Sequence, residues 1–202
     1  MKIGLYFGSF NPIHNGHLII ATHVINNSDL DRIWFVVSPQ NPFKESTSLL
    51  NEQHRLHLIK TAIDGAVQIK ASNIEFKLPR PSYTIDTLTY LKEIYPQYDF
   101  SIIMGSDSFL NLEKWKNGNL IKKDYPIYVY NRPGFSIKNI SPKTRLLEAP
   151  LVEISSTLIR ELIKEGKSIR YLVPDAVMEE IQRNNYYREI NIKRPAINKT
   201  KR

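Results

Sequence analysis

Two short segments, one near each end of the chain, hold the residue types that could do chemistry. The first is Gly8-Ser9-Phe10-Asn11-Pro12-Ile13-His14-Asn15-Gly16-His17. Its glycine follows an apolar run, where a backbone without Cβ can approach a ligand closely. His14 and His17 are three residues apart, at the point where a helix should begin. If His17 lies in the first turn, both imidazoles can face a helix N-terminus, which favours anions. Each ring could then donate to a phosphate oxygen. Zinc fits this pair poorly, because no third ligand is near and the sequence has neither cysteine nor an H-E-x-x-H pattern.

The second segment is Ile154-Ser155-Ser156-Thr157-Leu158-Ile159-Arg160. The serines are expected to cap an amphipathic helix carrying Leu158, Ile159, Leu162 and Ile163. Capping leaves Arg160 unexplained. A cation near the positive end of a helix calls for an anion close by. Amide donors, hydroxyls and a guanidinium together make a cradle suited to polyphosphate.

These segments need a frame. Lys2–Phe7, Arg32–Val37, Phe100–Met104 and Ile127–Tyr130 read as buried strands, and Val67–Ala71 and Ile74–Lys77 as shorter ones. Leu18–Asn27, Asn51–Ile63, Thr84–Tyr95, Ser156–Glu165 and Asp175–Asn184 carry helical spacing. Strands alternating with helices imply an α/β fold, a Rossmann-like doubly wound parallel sheet with helices on both faces. Ligands bind such sheets at the carboxyl ends of the strands. The chain places its unusual loops there, after Phe7, Val37 and Met104. No G-x-G-x-x-G follows the first strand, which weakens a dehydrogenase reading. Gly166-Lys167-Ser168 imitates the end of a phosphate loop, but it follows a helix and reads as a helix C-cap and turn.

The 202 residues, 42% hydrophobic and free of cysteine, suit one globular core without disulfides or thiolate sites. No apolar run reaches the roughly 20 residues that span a bilayer, and no secretory signal opens the chain. A cytoplasmic protein without a membrane partner is expected. The domain is expected over 1–190, with a flexible basic tail over 191–202. Of the 28 Lys and Arg, five lie in the last ten residues, leaving 23 against 20 acids in the body. That small excess suits an anionic small molecule better than a nucleic acid. The tail also lacks aromatic residues for base stacking. The sequence leaves a homo-oligomer open.

Gly8–His17 resembles the G-x-F-x-P-x-H-x-G-H signature of the nucleotidyltransferase superfamily, and Ile154–Arg160 its I-S-S-T-x-I-R signature. Pro39–Lys44, Pro81–Leu88, Gly105–Trp115 and Arg132-Pro133-Gly134 narrow the resemblance to the bacterial nicotinate-nucleotide adenylyltransferases. The loop after the second strand departs from that pattern, with Phe43-Lys44 where the family usually has His-Lys or His-Arg.

The resemblance implies roles residue by residue. Gly8, Ser9 and Phe10 bring backbone to the nucleotide, and His14 and His17 bind ATP phosphates. Gly105 and Asp107 hold the adenosine ribose. Ser155, Ser156, Thr157 and Arg160 grip the triphosphate, so that His14, His17 and Arg160 are the catalytic set. Lys44, Tyr83, Thr84, Trp115 and Arg132 line the site of the mononucleotide. The expected reaction is adenylyl transfer from ATP to nicotinate mononucleotide, with Mg2+ carried mainly by phosphate oxygens and water. Nicotinamide mononucleotide is the close rival as substrate. A catalytically silent nucleotide-binding protein is the rival from another class, and intact His14, His17 and Arg160 argue against it.

Overall fold

The computed structural model describes residues 1–42, 49–132, 134–135, 137, 140–150 and 153–188. Its strands are β1 (Lys2–Gly8), β2 (Arg32–Val37), β3 (Ile69–Ser72), β4 (Asp99–Gly105), β5 (Ile127–Tyr130) and β6 (Thr144–Leu147). The helices are α1 (Asn15–Asn26), α2 (Glu52–Ala62), α3 (Thr84–Ile94), α4 (Ser106–Leu110), α5 (Gly118–Asp124), α6 (Ser156–Lys164) and α7 (Asp175–Arg183). All neighbouring strands are parallel, in the order β3-β2-β1-β4-β5-β6. The order reverses between β1 and β4, so a crevice must open beyond their carboxyl ends.

Near-continuous apolar strands are what a sheet covered on both faces demands. Ile3, Leu5, Trp34, Val36, Ile102 and Val129 face the layer containing α3, α4 and α5. The alternate residues Tyr6, Ile33, Phe35, Ile103 and Tyr128 face the layer containing α1, α2, α6 and α7. The doubly wound sheet is therefore as the residue pattern predicts.

Several elements depart from expectation. The first helix begins at Asn15 rather than Leu18, because Asn15 and Gly16 occupy its first turn, where backbone N–H groups need no helical acceptor. Ile74–Lys77 is a 3₁₀ turn and not a strand. Its apolar residues alternate as in a strand, yet the intervening Glu75 is the buried one. β6, α4 and α5 were not foreseen; they are short, and in β6 only Thr144 is fully buried. Gly166 takes the left-handed φ of a helix terminus. Its N–H and that of Lys167 bond to the carbonyls of Ile163 and Leu162, which closes α6 as expected. The basic segment 191–202 lies outside the described residues.

Arg55, on α2, has no exposed surface. Its Nε donates to the carbonyl of Leu50 at 2.7 Å. One terminal nitrogen donates to the carbonyls of Ser9 at 2.5 Å and Ser38 at 2.9 Å, and the other to Pro39 at 3.2 Å. One side chain thus joins the loop after β1, the loop after β2 and the approach to α2. Burial lowers the guanidinium pKa, but the group remains a cation at neutral pH. Arg55→Met should destabilise the protein by about 3 kcal/mol or more in chemical denaturation, because several buried carbonyls lose their donors together. Arg55→Lys should recover only part of this, since an ammonium cannot spread its donors over the same fork. A loss below about 1 kcal/mol for Arg55→Met would remove the clamp from this account.

Candidate active site

A cavity of about 720 Å³ lies at the carboxyl ends of β1 and β4. Gly8, Ser9, Phe10, His14, His17, Tyr83, Thr84, Gly105, Asp107, Trp115, Arg132, Ser155, Ser156, Thr157 and Arg160 all line it. Every site residue expected from the sequence is therefore on one surface except Lys44, which lies outside the described residues.

The loop after β1 turns sharply. Phe10 has a left-handed φ of 46° and folds back, so that a Cβ on Gly8 would stand 2.8 Å from its ring. The missing side chain of Gly8 thus makes room for Phe10 as well as leaving backbone at the cavity. His14 then ends the loop in extended conformation as the N-cap residue of α1. Its backbone N–H donates to Nδ1 of His17 at 3.3 Å, while the His17 N–H donates to the His14 carbonyl at 2.9 Å. Because Nδ1 of His17 accepts, the neutral ring carries its proton on Nε2. The two imidazoles stack with centroids 3.6 Å apart. His14 is 5% exposed, and its Nδ1 has no hydrogen-bond partner among the described residues. Burial, and secondarily the charge of Arg132, lower its pKa to about 4. Two cations could not stack this way, so the pair holds together because His14 is neutral.

Helix α6 approaches the same loop from the far end of the sequence. Ser155 caps it, its Oγ accepting from the Leu158 N–H at 3.1 Å. Ser156 does not share that role, contrary to expectation. It is the first helical residue, and its hydroxyl donates to the Pro12 carbonyl at 2.8 Å. Arg160 donates to the Asn11 carbonyl at 2.9 Å and to Thr157 Oγ1 at 3.3 Å. The partner found for Arg160 is a peptide carbonyl rather than an anion. Both contacts tie α6 to the histidine loop.

At the end of β4, Gly105 is the N-cap residue of α4, so Asp107 has no capping role. Asp107 Oδ2 stands 3.5 Å from Arg132, and its buried Oδ1 lacks a hydrogen-bond partner among the described residues. A Cβ on Gly105 would fall 2.5 Å from Asp107 Oδ1 and 2.9 Å from Arg132 Nε, so a side chain there would push both partners of this pair aside. The Arg132 N–H donates to Ser106 Oγ at 2.9 Å, and its guanidinium to Tyr130 at 3.4 Å. Tyr130 in turn meets Tyr6 at 3.0 Å. Arg132, expected against the mononucleotide, is thus held beside the residue expected at the ribose.

The opposite wall is built from α3 and the turn holding Trp115. Tyr83 is the N-cap residue of α3 and Thr84 its first residue. Lys116 bonds Asp86 at 2.8 Å and lies 4.8 Å over the Tyr83 ring, which ties the two parts of this wall together. Trp115 is half-buried, and its N–H is committed to the Leu112 carbonyl at 3.0 Å. Trp115 therefore lines the cavity without a spare main-chain donor.

Sequence reasoning missed Tyr6, Tyr130, Ser38 and Glu75, which also line the cavity. The tyrosines sit in strands whose apolar character hides them. The cavity acids among the described residues are Glu75 and Asp107. No three His, Cys, Asp or Glu side chains among the described residues are placed to hold a metal ion, and no helix of the described residues is long and apolar enough to cross a membrane.

The arrangement is one of cations, neutral donors and helix N-termini converging on a cavity at a switch point, a chemistry of anion alignment. Known proteins agree. The sequence profile of the cytidylyltransferase-like family matches residues 5–162. The "Probable nicotinate-nucleotide adenylyltransferase" of Flavobacterium johnsoniae is 51% identical over 94% of this chain and 100% of its own. That of Flavobacterium psychrophilum is 49% identical over the same shares. A solved nicotinic acid mononucleotide adenylyltransferase of Plasmodium falciparum, in complex with NaAD, shares the fold with a TM-score of 0.77. It is 23% identical and aligns over 92% of this chain and 97% of that one. The chain belongs to the cytidylyltransferase-like family and, within it, to the nicotinate-nucleotide adenylyltransferases.

Proposed function

We propose that the protein transfers the adenylyl group of ATP to nicotinate mononucleotide, giving deamido-NAD and pyrophosphate. One observation carries the residue assignment. Two motifs about 140 residues apart in sequence are bonded to each other, Arg160 to Asn11 and Ser156 to Pro12, at the rim of one cavity. A phosphate oxygen of the mononucleotide attacks the α-phosphorus of ATP, and the bond from that phosphorus to the bridging β-oxygen breaks. The phosphate is already ionised at neutral pH, so no proton has to be removed from the nucleophile. Catalysis then rests on alignment and on donors placed where charge develops.

In this reading His17, whose Nδ1 accepts from the His14 N–H, donates through Nε2 to the triphosphate, and Arg160 and the N-terminus of α6 meet its outer phosphates. His14 starts neutral and gains a proton more readily once the polyphosphate is beside it. Asp107 takes the ribose hydroxyls with its unpartnered oxygen. Trp115 stacks on the pyridine. Magnesium enters with ATP as part of the substrate, held by phosphate oxygens and water, which suits a cavity poor in carboxylates. A cytoplasmic setting goes with ATP as substrate.

The nicotinate has one more negative charge than the nicotinamide. A cavity with Arg132, Arg160 and Lys116 favours the acid. Nicotinate mononucleotide should therefore show the higher kcat/KM, and Trp115→Ala should lower activity on acid and amide alike without changing their ratio. Equal efficiencies in the wild-type protein would refute the preference and leave adenylyl transfer standing; pyrophosphate release from ATP with each mononucleotide in turn measures both.

His17→Ala should cut turnover by roughly 100-fold or more with the fold retained, the scale of one lost transition-state donor. Arg160→Ala should weaken ATP binding and, through its lost bond to Asn11, cost about 1 kcal/mol of stability. Turnover near that of the wild type in both variants would sink the assignment.

The buried imidazole gives a pH signature. His14 stays neutral in the folded protein down to about pH 4, whereas in the unfolded chain it gains its proton near pH 6.5. Between those values the unfolded state binds more protons, so stability falls as pH falls, by up to about 3 kcal/mol from this group. An NMR titration of the free protein should place the His14 midpoint near 4, and ATP should move it upward. A midpoint above 6 without ATP would overturn the account of His14.

A further inference from the structure

Adenylyl transfer as described above makes no use of Glu75, yet this acid forms part of the cavity wall while only 2% exposed. Its Oε1 accepts from Thr87 Oγ1 at 2.8 Å, and Thr87 is itself fully buried in α3. Its Oε2 has no hydrogen-bond partner among the described residues, and neither has the buried hydroxyl of Ser82. Burial, the largest influence, raises the pKa of the carboxyl, while the nearby hydroxyls of Thr87, Ser38 and Ser82 lower it. No cation among the described residues forms an ion pair with it. Lys116 and Arg132 pair with Asp86 and Asp107 rather than with Glu75.

The carboxyl and these nearby hydroxyls belong to separate segments. Ser38 follows β2, Glu75 belongs to the turn after β3, and Ser82 leads into the Tyr83–Thr84 start of α3. A buried carboxylate without a cation is costly, whereas a neutral carboxyl that accepts from Thr87 and offers its own proton to serine oxygens is not. An ionised Glu75 would also set a fixed negative charge behind the wall that a substrate carboxylate has to approach.

We propose that Glu75 is a positioning residue for the mononucleotide end of the cavity: buried in its wall and bonded to Thr87 of α3, beside the Ser38 and Ser82 hydroxyls, it holds the Tyr83–Thr84 turn in place against the pyridine carboxylate. The role rests on the adenylyl-transfer reading given above. It separates the two substrates, since the turn it holds is remote in sequence from the histidine loop and from α6, which meet ATP.

Steady-state kinetics of the full chain, with ATP and nicotinate mononucleotide varied in turn, test the role. Glu75→Ala should raise the KM for the mononucleotide at least tenfold and leave the KM for ATP within twofold. Glu75→Gln, which keeps the shape, the acceptor and a donor but can never be charged, should stay within threefold of the wild type for both. Equal rises in both KM values for Glu75→Ala, or no rise, would overturn the proposal, as would a Glu75→Gln variant as impaired as Glu75→Ala. If Glu75→Ala does not fold, Thr87→Val removes the donor to Oε1 at nearly constant volume. It should raise the mononucleotide KM about threefold with the ATP KM unmoved, and an unchanged mononucleotide KM there would overturn the role as well. A wild-type protein that turns over neither mononucleotide would instead sink the adenylyl-transfer reading itself.

Discussion

A single buried guanidinium fixes the distance between the two loops that the site is made from. A parallel sheet leaves the carboxyl ends of β1 and β2 as neighbours, with Ser38 N–H bonded to the Gly8 carbonyl. Beyond that pair the loops diverge, and their inward carbonyls need donors that no strand can supply. Arg55 gives donors to Ser9, Ser38 and Pro39 at once, from a helix that the same residue anchors through Leu50. Neutral donors could satisfy those carbonyls one at a time. A planar fork satisfies them in a fixed mutual arrangement, which is a constraint on geometry more than a gain in energy. The Phe10 turn and the histidine pair are built outward from that point.

Among the described residues, four polar atoms of the cavity or its wall have no hydrogen-bond partner: His14 Nδ1, Asp107 Oδ1, Glu75 Oε2 and Ser82 Oγ. Each unpaired buried atom costs about 1–3 kcal/mol. The protein tolerates them because its other groups are over-determined. Asp107 is fixed by its helix and by the glycine space beside it, and His14 by the ring stacked on it. Groups held in place before substrate arrives need no reorganisation when charge develops, and this is the physical content of electrostatic preorganisation. The depressed pKa of His14 belongs to the same economy: a ring stripped of water responds strongly to an incoming anion and weakly to bulk pH.

What could be read in the sequence was what is local or periodic. The strands were legible because burial on two faces leaves uninterrupted apolar runs, and His14 and His17 because their spacing and the glycine between them announce a helix start. The Ser155 cap was legible for the same reason. Arg55 left no trace, since its partners are backbone carbonyls, which have no residue type, drawn from three other stretches of chain. Glu75 lies in a segment that reads as a short strand, and the partner that marks it as buried, Thr87, is twelve positions away. Arg160 was recognised as anomalous, but the neighbour it meets, the carbonyl of Asn11, is invisible to any count of charges. The short helices α4 and α5 fail on length: too few residues to establish a period.

The same distinction explains why the two signatures have to occur together. The histidine loop presents the Asn11 and Pro12 carbonyls, whose donors come from α6. Helix α6 alone is an amphipathic helix with a cation near its positive end. Placed together, Arg160 and Ser156 satisfy those two carbonyls, and the loop in turn supplies the acceptors that make the position of Arg160 tolerable. Each motif therefore completes the hydrogen bonding of the other before any ligand is present. The imidazoles, the guanidinium and the start of α6 line one cavity, and the bonds that fold the site are also the bonds that align these groups.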